Sequence, residues 1–80
     1  MFYTYVLQSE KNKRNYYGST DNLDRRLAEH NRGHTPATRF IRPLKVVYFE
    51  TFKTLSESRK RELFFKSGQG REFIKQQLGR

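Results

Sequence analysis

Apolar and polar residues fall into blocks that mark out six elements. Phe2 to Leu7 (FYTYVL) is rich in aromatic and β-branched residues and predicts a strand. Gln8 to Asn15 (QSEKNKRN) is polar and charged, as a hairpin connection should be, and Tyr16, Tyr17 and Gly18 predict a second short strand ending at the glycine. Thr20, Asp21 or Asn22 can each accept hydrogen bonds from the free amides of a helix start. Asp24 adds negative charge where the helix dipole favours it. Leu23 and Leu27, four residues apart, supply an inward contact, and Asn31 to Gly33 close the helix with Gly33 free to turn left-handed.

His34 to Pro43 (HTPATRFIRP) holds two prolines and no sustained period, which predicts a loop carrying His34, Arg39 and Arg42. Lys45 to Phe52 (KVVYFETF) is the strongest strand signal, and its continuous apolar centre predicts a central strand covered on both faces. Thr54-Leu55-Ser56-Glu57 matches a capping box. The helix it opens should run to about Ser67, with Gly68 as its stop. Gly70 to Leu78 predicts a last short helix, apolar at Phe73, Ile74 and Leu78. The order β-β-α-β-α-α implies one α+β domain over residues 1–80, a three-stranded antiparallel sheet flanked by helices.

Composition sharpens this picture. Hydrophobic residues make up only 34% of the chain, but seven Phe and five Tyr bury much area each, so a modest core can form. Seventeen Lys and Arg against eight Asp and Glu leave a charge of +9, which favours polyanions, with nucleic acid the commonest. A basic protein that docks on ribosomes or acidic membranes without chemistry would share that charge. The absence of cysteine excludes disulfides and thiolate metal sites. No apolar run is long enough to span a bilayer, and the N-terminus opens on strand-like alternation, so a soluble, cytoplasmic protein is expected.

Three sets of residues are candidates for chemistry. Arg26 and His30, four apart, share a helix face, and two groups that can both be cationic suit a phosphate better than they suit the helix. Two solvated polar residues are the plainer alternative. Glu62 follows Leu55 by seven residues, so the two project within about 20° of each other and Glu62 sits at the core's edge. A carboxylate there needs either a basic partner such as Arg59 or Lys66, or a hard cation such as Mg²⁺. Tyr3 and Tyr5 share a strand face, with Tyr16 or Tyr17 across from them. A tyrosine acting as base at pH 7 needs about 4 kcal/mol of help from nearby positive charge.

The runs Tyr3-Thr4-Tyr5 and Tyr16-Tyr17-Gly18, followed by the segment from Ser19 to His30, resemble the GIY-YIG nuclease family. The family is named for two short strand motifs, which precede a helix bearing arginine. The run from Ser58 to Lys66 resembles the family's second helix with its metal-binding glutamate. The resemblance spans nearly the whole chain and is nearest to small stand-alone bacterial members. Tyr3 and Thr4 stand where the first motif has glycine and isoleucine, and Tyr17 replaces isoleucine in the second.

By position, the resemblance implies Tyr5 as general base, assisted by Tyr16 or His30, Arg26 as the clamp on the scissile phosphate, and Glu62 as the ligand of one Mg²⁺ or Mn²⁺ ion. Some members use a further polar residue near the C-terminus, for which Lys75, Gln76 and Gln77 are candidates. The implied activity is a metal-dependent endonuclease acting on nucleic acid, chiefly DNA, in repair, recombination or turnover. A non-catalytic nucleic-acid-binding module with the same fold is the alternative. Many members gain specificity from an attached DNA-binding domain. Here substrate contacts are expected from Lys11, Lys13, Arg14, Arg39 and Arg42, or specificity from a protein partner.

Overall fold

A computed structural model describes residues 1–79. Strands β1 (Phe2–Ser9) and β2 (Asn15–Thr20) form an antiparallel hairpin, followed by helix α1 (Leu23–Asn31). A single 3₁₀ turn (Arg39–Ile41) leads into β3 (Leu44–Phe52), then α2 (Leu55–Phe65) and α3 (Gly68–Gln77). The architecture is the expected three-stranded antiparallel sheet with helices in β-β-α-β-α-α order. No helix among the described residues is long and apolar enough to cross a membrane.

The strand order is β2-β1-β3, which overturns the expectation that the Lys45–Phe52 strand is central. β1 pairs on both sides, and its residues from Thr4 to Ser9 are all buried, whereas edge strand β3 exposes Lys45, Phe49 and Thr51. The hydropathy pattern misleads because β1 buries polar side chains that are satisfied locally. Thr4 Oγ1 donates to the Ser58 carbonyl at 2.7 Å, Ser9 Oγ to the Ile41 carbonyl at 2.6 Å, and Gln8 Nε2 to Asn15 Oδ1 at 3.3 Å. A buried hydroxyl so paired costs little, but it scores as a solvent position in the sequence.

The period of two divides the core between the sheet's faces. Tyr5, Leu7 and Leu44 pack with Leu23 and Leu27 of α1 and with Ile41. On the other face Val6, Phe65 and Ile74 pack with Tyr17, Tyr48, Phe64 and Phe73 beneath α2 and α3. Local signals are finely tuned. Asn22, among the three candidate caps, accepts from the Arg25 amide, and Gly33 takes the left-handed conformation at φ 83°. Thr54 caps α2 by accepting from the Glu57 amide at 3.2 Å, while its hydroxyl donates to the Glu57 carboxylate at 2.9 Å.

The second helix ends at Phe65, earlier than Ser67, and Gly68 opens the next helix instead of stopping this one. Ser67 is the reason: its Oγ accepts from the Gly70 amide at 3.1 Å and starts α3. β2 likewise runs past Gly18 to Thr20, because Ser19 and Thr20 still pair with Thr4 and Tyr3.

Candidate active site

Tyr5 lies on central strand β1 directly opposite Gly18 of edge strand β2. A Cβ on Gly18 would meet the Tyr5 hydroxyl at 2.3 Å and Cζ at 2.5 Å. The missing side chain therefore lets the Tyr5 ring lie across β2 and bring its phenol toward the sheet's edge. Tyr16, two residues before Gly18, shares this face. Its ring meets the His30 ring edge-on with centroids 5.0 Å apart, and the Tyr5 ring meets it at 6.2 Å. α1 packs on the same face and supplies both Arg26 and His30, one turn apart.

His30 is fully buried, so the sequence-based picture of two cations facing a phosphate together applies to Arg26 alone. Its Nδ1 lies 2.8 Å from Thr38 Oγ1, and its Nε2 lies 3.3 Å from the Tyr5 hydroxyl. The Thr38 hydroxyl lies 3.4 Å from the Thr35 carbonyl; in the tautomer with the proton on Nδ1, Thr38 accepts from that nitrogen and Nε2 is the acceptor for Tyr5. Burial, with the Arg26 charge adding to it, lowers the His30 pKa to about 4. Burial also raises the Tyr5 phenol above its usual value, opposed by the neighbouring Arg26 guanidinium. Both groups are thus neutral near pH 7, and Tyr5 is a hydrogen-bond donor.

This has a consequence for stability. A histidine depressed in the folded state leaves the unfolded chain binding more protons as pH falls from about 6.5 toward 4, so stability declines through that window. Between pH 7.5 and 5 the loss is expected to be about 2 kcal/mol. Urea unfolding of the wild type and His30→Gln at both pH values checks this. The variant should start less stable but lose far less on acidification, and an equal loss in both would refute the assignment.

Glu62 approaches from the other face of the sheet. α2 crosses beneath β2, and Glu62 Oε1 accepts a hydrogen bond from Ser19 Oγ at 2.5 Å. Its Oε2 pairs with Lys66 Nζ at 2.8 Å, and this bond holds the Lys66 ammonium above its usual pKa. The Glu62 carboxylate is close enough to Tyr5 to add to the upward pressure on the phenol, and Tyr16 is close to both Tyr5 and Lys66. A cleft of about 410 Å³ opens along this edge, lined by Ser19, Arg25, Arg26, Glu29 and Leu55 among others. Arg26 Nη1 is braced by Glu29 Oε1 at 3.1 Å and keeps part of its guanidinium exposed.

The structure thus brings Tyr5, Tyr16, Arg26, His30 and Glu62 to one edge of the sheet, two helices reaching it from opposite faces. Sequence reasoning missed Ser19 and Thr38, which fix Glu62 and His30. It named Lys66 only as one of several salt-bridge partners. The spacing of Lys66, four residues after Glu62 on a helix, did carry that signal. Nothing in the local sequence distinguishes Ser19 or Thr38 from other hydroxyls. Lys11, Lys13 and Arg14 lie exposed in the hairpin turn, and Lys11 joins Arg39 and Arg42 around a second cleft at the far end of α1. Lys75, Gln76 and Gln77 are exposed on α3.

The donors at the edge are hard oxygens: one carboxylate, a serine hydroxyl and tyrosine phenols. Among the described residues no three His, Cys, Asp or Glu side chains cluster, so the set suits a cation that keeps most of its waters and needs one carboxylate, as Mg²⁺ does. Glu62 has the basic partner that the sequence offered as the alternative to a metal, Lys66, so a cation here would share or displace that ammonium.

The family model described as the GIY-YIG catalytic domain matches residues 1–75. A UPF0213 protein of Listeria welshimeri is 47% identical over 64 residues, covering 78% of this chain and 69% of that protein. A UPF0213 protein of Clostridium perfringens is 40% identical over 67 residues, with 82% and 71% covered, and one of Pediococcus acidilactici is 34% identical over 77 residues, with 92% and 78% covered. No solved structure matches. Matched across almost its whole length, and carrying that family's strand pair, arginine helix and glutamate helix in order, the chain belongs to the GIY-YIG nuclease superfamily.

Proposed function

We propose that the chain is a metal-dependent endonuclease that hydrolyses DNA phosphodiesters. The observation that carries this reading is the meeting of Arg26 and Tyr5 from one face of the sheet with Glu62 from the other at the β2 edge. Placing a buried phenol and a buried imidazole beside a half-buried arginine and a carboxylate stabilises a fold poorly. It suits a site where charge develops during reaction.

Arg26 clamps the phosphate and meets the negative charge added in the transition state. Glu62 would hold one Mg²⁺ or Mn²⁺, which would supply neutralisation of the charge that builds up during phosphate hydrolysis. Ser19 and Lys66 keep its carboxylate turned to the edge. A free Tyr5 phenolate would cost more than about 4 kcal/mol at pH 7, since burial raises its pKa. Tyr5 accepts the proton of the attacking water as its own proton passes to His30 Nε2. That relay itself costs about 4 kcal/mol at pH 7, because burial holds the His30 pKa at about 4, and the negative charge arriving with the phosphate offsets part of that cost. The water oxygen bonds to phosphorus as the P–O3′ bond breaks, and the departing 3′-oxygen takes a proton from solvent. The proton held by Tyr5 and His30 returns to solvent, and the products carry 5′-phosphate and 3′-hydroxyl ends. His30 acts through Tyr5 and never touches substrate.

The test is cleavage of a labelled panel of single-stranded, duplex, nicked and branched DNA and of RNA, each with Mg²⁺, Mn²⁺ or EDTA. DNA cleavage that EDTA abolishes, and that Arg26→Ala slows by about a hundredfold or more, supports the reading. Binding without cleavage under every metal condition would replace it with a non-catalytic nucleic-acid module.

A further inference from the structure

The second cleft, about 450 Å³, is lined by Lys11, Asn31, Arg39, Phe40, Arg42 and Pro43. Three of these six residues are cations and none is acidic. Phe40, its one aromatic, is 79% exposed. A lone exposed apolar residue needs no explanation, but this one is held out by a rigid frame. On one side Thr38 is fully buried and bonded to His30. On the other, Ile41 packs into the core and its carbonyl accepts from buried Ser9. Arg42 Nε donates to the Arg39 carbonyl at 2.8 Å, and the Arg42 guanidinium lies over Gly33, where a Cβ would meet Nη1 at 2.8 Å. Asn31 is locked by paired bonds to the Leu44 backbone at 3.0 and 2.8 Å. A fixed aromatic face ringed by cations is the arrangement that stacks an unpaired base and holds its flanking phosphates.

We propose that Phe40, with Lys11, Arg39 and Arg42, is a subsite for an unpaired nucleotide, so that the preferred substrate carries a single-stranded segment beside the cleaved bond. The identity of the polymer rests on the nuclease reading. A base inside a duplex has no free face to offer Phe40, whereas duplex phosphates reach the cations equally well. The subsite therefore discriminates through Phe40 and binds through the cations. Asn31 of this cleft and Arg26 of the phosphate clamp lie on the same helix, five residues or about 7.5 Å of axial rise apart, so one strand can run from the clamp toward this cleft.

Binding in EDTA, which prevents metal-dependent cleavage, isolates this contact. The probes are labelled oligo-dT, oligo-rU and a blunt DNA duplex of equal length, titrated with wild type, Phe40→Ala and Phe40→Tyr. Base-aromatic stacking predicts that Phe40→Ala weakens oligo-dT binding by about 5- to 100-fold, leaves duplex binding unchanged, and is rescued by tyrosine. An equal effect on oligo-rU makes the subsite indifferent to the sugar; an effect on oligo-dT alone makes it selective for DNA. The chain has no tryptophan, so Phe40→Trp provides a single tryptophan, excited apart from the five tyrosines, that oligo-dT should quench and duplex should not. The inference is overturned by unchanged oligo-dT binding in Phe40→Ala, by an equal loss on duplex, or by an unquenched tryptophan. Quenching without any cleavage would keep the subsite and remove the nuclease reading. Cleavage with Phe40→Ala binding unchanged would do the reverse.

Discussion

Glu62→Ala is expected to slow DNA cleavage by at least about a thousandfold, in line with the several kcal/mol a bound metal contributes, while the chain stays folded. The two effects separate because Glu62 contributes modestly to folding. Its pair with Lys66 is partly open to solvent, with side-chain exposures of 21% and 49%, and such pairs are worth about 0–1 kcal/mol. The Ser19 hydrogen bond to the charged carboxylate adds about 1.5–3 kcal/mol. The neighbouring carboxylates Glu29 and Asp21 pair with arginines, Arg26 and Arg25. Glu62→Gln is the sharper variant, because it keeps an acceptor for Ser19 and removes only the charge. Single-turnover cleavage in Mg²⁺ should be lost as fully as in Glu62→Ala, with the unfolding free energy from urea titration within about 2 kcal/mol of wild type. A Glu62→Gln protein that cleaves at the wild-type rate would show that the carboxylate is not the metal ligand.

The elements of this fold were legible because each announces itself locally: aromatic and β-branched runs for β1 and β3, Asn22 and Thr54 as caps, Gly33 as a left-handed stop. The strand order was not, since it depends on which strand can bury its polar residues. Thr4 and Ser9 do so through carbonyls of Ser58 and Ile41 that are more than thirty residues away in the chain. The same limit applies at the site. The matching positions of Tyr5, Tyr16, Arg26, His30 and Glu62 could be read from the family's motifs. The burial that makes His30 neutral and turns Tyr5 into a donor could not, because α1's helical spacing alone cannot say that His30 faces the core while Arg26 faces the cleft. Gly68 shows the reverse error. A glycine after a helix reads as a stop, and only the Ser67 cap reveals that another helix starts there.

Gly70 and Gly68 sit two residues apart in that helix, and alanine at each is expected to act in opposite directions. By intrinsic propensity either substitution should help, since alanine is favoured over glycine in a helix by about 1 kcal/mol. At Gly68 nothing lies within 4 Å of the new Cβ, so Gly68→Ala is expected to stabilise by about 0.5–1 kcal/mol. At Gly70 the Cβ would sit 1.7 Å from the Phe64 carbonyl oxygen, 2.4 Å from its carbon and 2.6 Å from Phe65 Cα. These are backbone atoms at the end of α2, so relief requires the two helices to separate. Separation would pull Ile74 and Phe73 away from Phe65, a stack with ring centroids 6.3 Å apart at the centre of that face's core. The expected cost is at least about 4 kcal/mol, by analogy with disruption of a buried aromatic contact. A domain of this size has a total stability of about 4–12 kcal/mol, so Gly70→Ala should be largely unfolded or aggregated at 37 °C. Urea unfolding of the two variants beside wild type gives the comparison directly. A folded Gly70→Ala protein with a wild-type midpoint would mean that α2 and α3 do not approach as closely as the structure has them.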